Sequence, residues 1–114
     1  MEFACKNFNL NEVVRCSLNL SKADFKILQF FMSNPTRRVG THIISKELNL
    51  ELSTVQRSLK KMHQNNLVKR SQINLESGGY SFVYCICDKK EIKEKIKGII
   101  DNWTEKFEEE INKW

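Results

Sequence analysis

The sequence predicts a mainly α-helical, α+β fold with one small β-hairpin. Three observations carry this. Apolar residues between positions 8 and 65 recur at three- and four-residue steps in four short segments. Between Val68 and Cys87 the period changes to two on either side of a Gly-Gly pair. From Asp88 to Trp114 the helical period returns, with only Gly98 to interrupt it.

The elements follow in order. Phe8, Leu10, Val13, Val14 and Leu18 suit a short amphipathic helix over 8–20. Ser21 is a cap for a second helix, and Asp24 three residues later completes a capping-box-like start. Phe25, Ile27, Leu28, Phe31 and Met32 form its buried stripe, and Asn34-Pro35 stops it. The basic stretch 36–40 reads as a loop. Thr41 is expected to cap a third helix ending near Leu48, with Ile43, Ile44 and Leu48 facing inward. Asn49 suits the left-handed position that closes it. A fourth helix runs from about Leu52 to Asn65, with Leu52, Val55, Leu59 and Met62 on its apolar face. Val68–Leu75 and Tyr80–Cys87 are two strands around the turn Glu76-Ser77-Gly78-Gly79. Asp88 and Glu91 form a D-x-x-E start for the last helix, which spans roughly 40 Å at ~1.5 Å per residue.

The bulk numbers bound the function. A chain of 114 residues with 40% hydrophobic content suits one modest core. The net charge is +5, and it is unevenly spread. Residues 88–114 hold seven Lys against eight acids, which leaves twelve cations against six acids in 1–87. A polyanionic partner for the first part follows. No basic start precedes an apolar run at the N-terminus, and no stretch approaches membrane-span length. The four cysteines form no C-x-x-C pair and no zinc spacing. A cytoplasmic, reduced protein without metal or cofactor is the expectation. No nucleophile–base group, phosphate loop or carboxylate pair stands out, so the sequence points away from an enzyme.

The order helix, tight turn, helix, hairpin carries the functional reading. The stretch 53–70 holds Arg57, Lys60, Lys61, Lys69 and Arg70 and no acid. The exposed face of the fourth helix would offer Ser53, Thr54, Gln56, Arg57, Lys60 and Lys61. Gln reads adenine edges, Arg reads guanine edges, and hydroxyls and Lys hold phosphates. These features describe a winged helix-turn-helix on double-stranded DNA, with helix 52–65 in the major groove. Arg37, Arg38 and Thr41 extend the candidate surface on one side, and Lys69, Arg70, Gln72, Gly78 and Gly79 on the wing side. Gly78 and Gly79 let the main chain approach the backbone or minor groove.

Ile44-Ser45-Lys46-Glu47-Leu48-Asn49-Leu50, Ser53-Thr54-Val55-Gln56-Arg57-Ser58-Leu59-Lys60-Lys61-Met62 and Asn66-Leu67-Val68-Lys69-Arg70 together resemble the signature of MarR- and TrmB-type winged-helix transcriptional regulators, small archaeal ones especially. The resemblance covers about thirty residues well. Asn66 stands where the pattern has Gly, and Glu51 where it has a capping Ser. The wing lacks the acidic–basic motif of MarR proteins, and Gly78-Gly79-Tyr80 is closer to the TrmB-like group. No sugar-binding domain follows, so a sugar response is not implied. The resemblance implies transcriptional regulation through DNA binding.

The C-terminal helix reads as a dimer element. Ile92, Ile96, Ile99, Ile100, Trp103, Phe107, Ile111 and Trp114 share one face, and pairing with a second copy would bury them. Phe3, Phe8, Leu10 and Val14 are expected to extend that contact. Its Lys-rich start, five Lys against two Glu in 89–97, is expected nearer the DNA than its acidic end. The boundaries are 1–87 for the winged domain with its N-terminal helix and 88–114 for the dimerisation helix. Two alternatives stay open: a winged-helix module that binds a protein partner, and a thiol- or metal-responsive regulator using Cys85 and Cys87, which share one strand face with Val83.

Overall fold

The computed structural model describes residues 9–114. Phe3 and Phe8, expected at a dimer contact, lie outside the described residues. The order is α1 (Leu10–Ser17), α2 (Lys22–Ser33), α3 (Thr41–Leu48), α4 (Leu52–Gln64), β1 (Val68–Asn74), β2 (Tyr80–Ile86) and α5 (Lys89–Ile111). This is the expected α+β architecture, a winged helix-turn-helix with a long C-terminal helix. The chain divides into two compact units, one of Ser21–Lys89 and one that groups α1 with residues 90–114.

In the winged unit α2 begins as its sequence dictates. Ser21 Oγ accepts from the Asp24 amide at 3.1 Å, and Asp24 Oδ2 accepts from the Ser21 amide at 3.0 Å, a complete capping box. Helices α2 and α3 pack on α4, and α4 packs on β1. Ile27, Phe31, Ile44, Val55, Leu59, Met62 and Leu67 are fully buried between them. The turn between α3 and α4 is closed reciprocally. Asn49 adopts φ 53, the Leu50 amide donates to Ser45 O at 3.0 Å, and Ser45 Oγ donates to Leu50 O at 2.6 Å. Asn tolerates this left-handed position better than most residues do. Asn66 does the same after α4, at φ 60.

Several expectations are corrected. Thr41 is the first residue of α3 and not its cap; Gly40 holds the cap position and offers no side chain to the first turn. Ile43 is 46% exposed and does not face inward. It sits next to buried Ile44, and an eight-residue helix buries a narrow stripe. The stretch 36–40 is more than a loop. Val39 is buried and forms a bridge with Tyr84, with N–H···O distances of 3.0 and 2.8 Å. Helix α4 ends at Gln64, one residue earlier than expected.

The wing is an antiparallel pair in the register Val68↔Ile86, Arg70↔Tyr84, Gln72↔Phe82 and Asn74↔Tyr80. Those residues share one face, and Lys69, Ser71, Ile73, Ser81, Val83 and Cys85 share the other, because strand side chains alternate. Gly78 and Gly79 sit at φ 94 and 79, in the left-handed region the hairpin turn needs.

In the other unit, Asn9 Oδ1 caps α1 by accepting from the Glu12 amide at 3.1 Å. Helix α1 stops at Ser17 instead of running to 20. Asn19 turns left-handed at φ 54, and the Leu20 amide reaches back to Arg15 O at 2.9 Å. Helix α5 has 23 residues, about 34 Å at ~1.5 Å per residue. Ile92 is buried, and Ile96, Ile99 and Ile100 are half-buried. Every residue from Asp101 to Trp114 is exposed.

Candidate nucleic-acid interface

The outward face of α4 is the centre of the surface. Ser53, Gln56, Arg57 and Lys60 are exposed, and Thr54 is half-buried at the edge. Helix periodicity alone produces this split: Val55, Leu59 and Met62 pull one side into the core and leave the polar side out. No acid lies on α4 to oppose an anion.

Lys61 departs from the group. Its Nζ lies 2.8 Å from Asp24 Oδ2, and Ser58 Oγ donates to Asp24 Oδ1. Asp24 is 4% exposed. Burial opposes its ionisation, but hydrogen bonds from Lys61, Ser58 and Ser21 outweigh that penalty and hold its carboxyl below the usual carboxylate range. This network ties α2 to α4. Lys61 is therefore committed to the domain's own packing, whereas Lys60 is turned outward. The sequence signal for it was thin: Ser58 and Lys61, three apart on a helix, and one acid near the start of α2.

The flanking cations divide in the same way. Arg37 makes a bidentate pair with Glu47, both N···O distances 2.9 Å, and its guanidinium lies 5.4 Å from the centre of the Phe30 ring. Arg38 is exposed. Lys69 and Arg70 are exposed on opposite faces of β1. Arg70 rests 4.3 Å over the Phe82 ring, and Phe82 meets Tyr80 edge-on at 5.5 Å. Gln72, Gly78 and Gly79 are exposed further along the hairpin.

Sequence reading missed one feature. Thr41, Gln56, Tyr80, Ser81, Phe82 and Tyr84 line a cleft of about 480 Å³. It joins the start of α3, the outward face of α4 and the inner face of the wing. Only Thr41 and Gln56 were expected at the surface. The alternation of Tyr80, Phe82 and Tyr84 is visible in the sequence, but Val39, which bridges Tyr84, lies in a stretch read as loop. Cys85 is half-buried and Cys87 buried. Among the described residues no three His, Cys, Asp or Glu side chains are grouped to hold a metal, and no helix is long and apolar enough to cross a membrane.

Comparison with known proteins places this architecture. The chain is similar over its whole length to a possible transcriptional regulator from Methanosarcina mazei Go1, at 41% identity, TM-score 0.92 and 95% coverage of that chain. A possible transcriptional regulator of the MarR family from Enterococcus faecalis V583 shares the fold at TM-score 0.56, with 12% identity over 90% of this chain and 89% of the other. A MepR variant from S. aureus, solved bound to an oligodeoxyribonucleotide, shares it at TM-score 0.59, with 13% identity over 85% of this chain and 70% of that one. The MarR-type winged-helix relation expected from the Ile44–Arg70 signature thus holds in the fold. The family model for the DnaD N-terminal domain matches residues 8–107, and the chain belongs to that family.

Proposed function

We propose that the chain is a homodimeric, sequence-specific transcriptional regulator that binds double-stranded DNA without catalysing a reaction. The observation that carries this is the acid-free outward face of α4, where Gln56, Arg57 and Lys60 stand exposed beside the wing. Gln56 and Arg57 have the donor and acceptor geometry for base edges, and Ser53, Thr54 and Lys60 for phosphates. The DNA-bound MepR variant supports the reading, because its fold is the same. The likeness to a possible transcriptional regulator from M. mazei supports it at much higher identity.

The dimer rests on α5. Phe107 is 64% exposed and Trp114 98%, with Trp103 and Ile111 beside them. A contiguous apolar face of this kind marks an interaction surface. A second copy covers it, and two-fold symmetry then predicts a palindromic operator with half-sites about one or two helical turns apart. Leu10 and Val14 belong to the same proposed contact.

Selection of bound sequences from random duplexes with purified protein tests the reading. The expected result is an enriched palindrome bound with steep salt dependence. Enrichment of nothing, with flat salt dependence, would instead favour a module that uses α5 on a protein partner. Operator affinity that responds to oxidant or thiophilic metal would bring Cys85 and Cys87 into control.

A further inference from the structure

Helix α5 carries its charge in an ordered pattern. Lys90, Lys93, Lys97, Asp101, Glu105 and Glu108 follow one another at three- and four-residue steps, so they form one stripe along the helix. All six are exposed. The stripe is positive before Ile99 and negative after it. It runs beside the apolar face, on which Ile92, Ile96, Ile99, Trp103 and Phe107 recur at the same steps. Two ion pairs within the helix are local: Lys97 Nζ lies 3.7 Å from Glu94 Oε1, and Lys113 Nζ lies 3.3 Å from Glu110 Oε1. Neither joins the two halves of the stripe.

Two independent features bear on what covers this helix. Trp103 is 42% exposed and Phe107 64%, so the apolar face beside the stripe is left open by its own chain. The stripe itself is antisymmetric about Ile99. Each Lys has an acid at the mirrored position: Lys90 and Glu108, Lys93 and Glu105, Lys97 and Asp101. A two-fold axis turns that antisymmetry into complementarity, because residue i of one copy then meets residue j of the other, and j meets i. In an antiparallel pair of α5 helices centred near Ile99, every Lys of the stripe faces an acid. A parallel pair sets Lys against Lys and acid against acid, which opposes it. The apolar residues share nearly the same centre, since Ile92 mirrors Phe107 and Ile96 mirrors Trp103.

We infer that α5 pairs antiparallel with α5 of a second copy, in the register that sets Lys90, Lys93 and Lys97 of each copy against Glu108, Glu105 and Asp101 of the other. This rests on the homodimer reading and deepens it, because it gives the partner an orientation. The apolar face supplies the strength of the contact, since exposed ion pairs each contribute little. The charges select direction and register, as flanking charges do in paired helices. They also select the partner. A helix of uniform charge fits one half of the stripe and is repelled by the other, whereas a second copy complements both halves.

Sedimentation of the full-length chain over a concentration series tests the orientation. Lys90→Glu with Lys93→Glu is compared with Glu105→Lys with Glu108→Lys, and with a chain that carries all four changes. The mirrored residues are 12 and 18 positions apart, too far to meet within one helix. Each double substitution is expected to raise the dimer dissociation constant about tenfold. The combined chain is expected to return to within about threefold of the wild type, with helix content by circular dichroism unchanged throughout. Near 1 M salt, where the Debye length is about 3 Å, the differences should shrink. In a parallel pair like charges face each other before and after each change, so an unaltered constant for both double variants overturns the orientation and leaves the dimer standing. Losses in both without recovery in the combined chain overturn it as well, and so do losses that persist at high salt. A wild-type chain that is a monomer at every concentration removes the homodimer reading and this inference with it.

Discussion

Helices α4 and α5 are both amphipathic, yet they use their apolar faces differently. Helix α4 has 13 residues and buries Val55, Ser58, Leu59 and Met62. Helix α5 has 23 residues, and Ile92 is its one buried position. The first helix completes a core inside its own chain and leaves its polar face exposed. The second leaves most of its apolar face exposed. Periodicity alone would not separate these cases, because both sequences show the same three- and four-residue steps. What separates them is supply. α2, α3 and β1 all pack on α4, whereas the aromatic residues of α5 stay exposed.

The contrast breaks most sharply under truncation of matched apolar residues. Leu59→Ala removes a fully buried side chain and is expected to cost about 3 kcal/mol, as other buried Leu→Ala changes do. Urea unfolding checks this through the midpoint. Phe107→Ala, at an exposed position, is expected to leave the fold of one chain intact and to act on association. A loss from Leu59→Ala below about 1 kcal/mol would mean that α4 is not the centre of the core.

Association is the next largest effect. Trp103→Glu with Phe107→Glu places two charges on the exposed face of α5. The expected outcome is a monomer by sedimentation velocity, with unchanged helix content by circular dichroism. A wild-type chain that already sediments as a monomer removes the homodimer from the reading.

Asp24 gives an effect of about 2 kcal/mol, the size of a lost hydrogen bond to a charged group. Its carboxyl is held below the usual value in the folded chain. A group of that kind contributes stability above its unfolded pKa of about 3.9. The contribution is lost as pH falls through the lower folded value. Asp24→Asn is therefore expected to destabilise the chain at neutral pH and to flatten its stability profile below about pH 4. Equal slopes for both proteins in that window would show that Lys61 and Ser58 do not stabilise the ionised form.

Much of this was legible in the sequence. The fold followed from periodicity and from caps: Ser21 and Asp24, Asn49, Asn66 and the Gly78-Gly79 turn all act locally, so their residues announce them. The outward face of α4 was legible for the same reason. Three features were not. Val39 pairs with Tyr84 across 45 residues of chain, and a single-residue bridge leaves no periodic trace. The contacts of Asp24 with Ser58 and Lys61 span 34 and 37 residues and depend on how α2 crosses α4. The cleft has walls from three elements, α3, α4 and the wing, that only tertiary packing brings together. Lys61 shows the consequence. From its neighbours it read as one more phosphate contact, and packing gave it a partner inside the domain.

The adjacent pair Lys60 and Lys61 gives the smallest effect and the closest test of how α4 divides its surface. Lys60 points outward, so Lys60→Ala should weaken operator and random duplex alike and reduce the salt slope by about one. Lys61 is bound to Asp24, so Lys61→Ala should change the slope by much less and lower stability instead. Arg57→Ala belongs to a third class. Its side chain is exposed at the middle of the helix, where a guanidinium reads guanine, and its loss should cost about 1–3 kcal/mol on operator DNA and less on random DNA. Binding isotherms for the three variants on both duplexes, across a salt series, separate the roles. Equal slopes for Lys60→Ala and Lys61→Ala would show that the Asp24 pair opens when DNA arrives, so that both cations reach phosphate. Equal losses on operator and random duplex for Arg57→Ala would move that residue from the bases to the backbone.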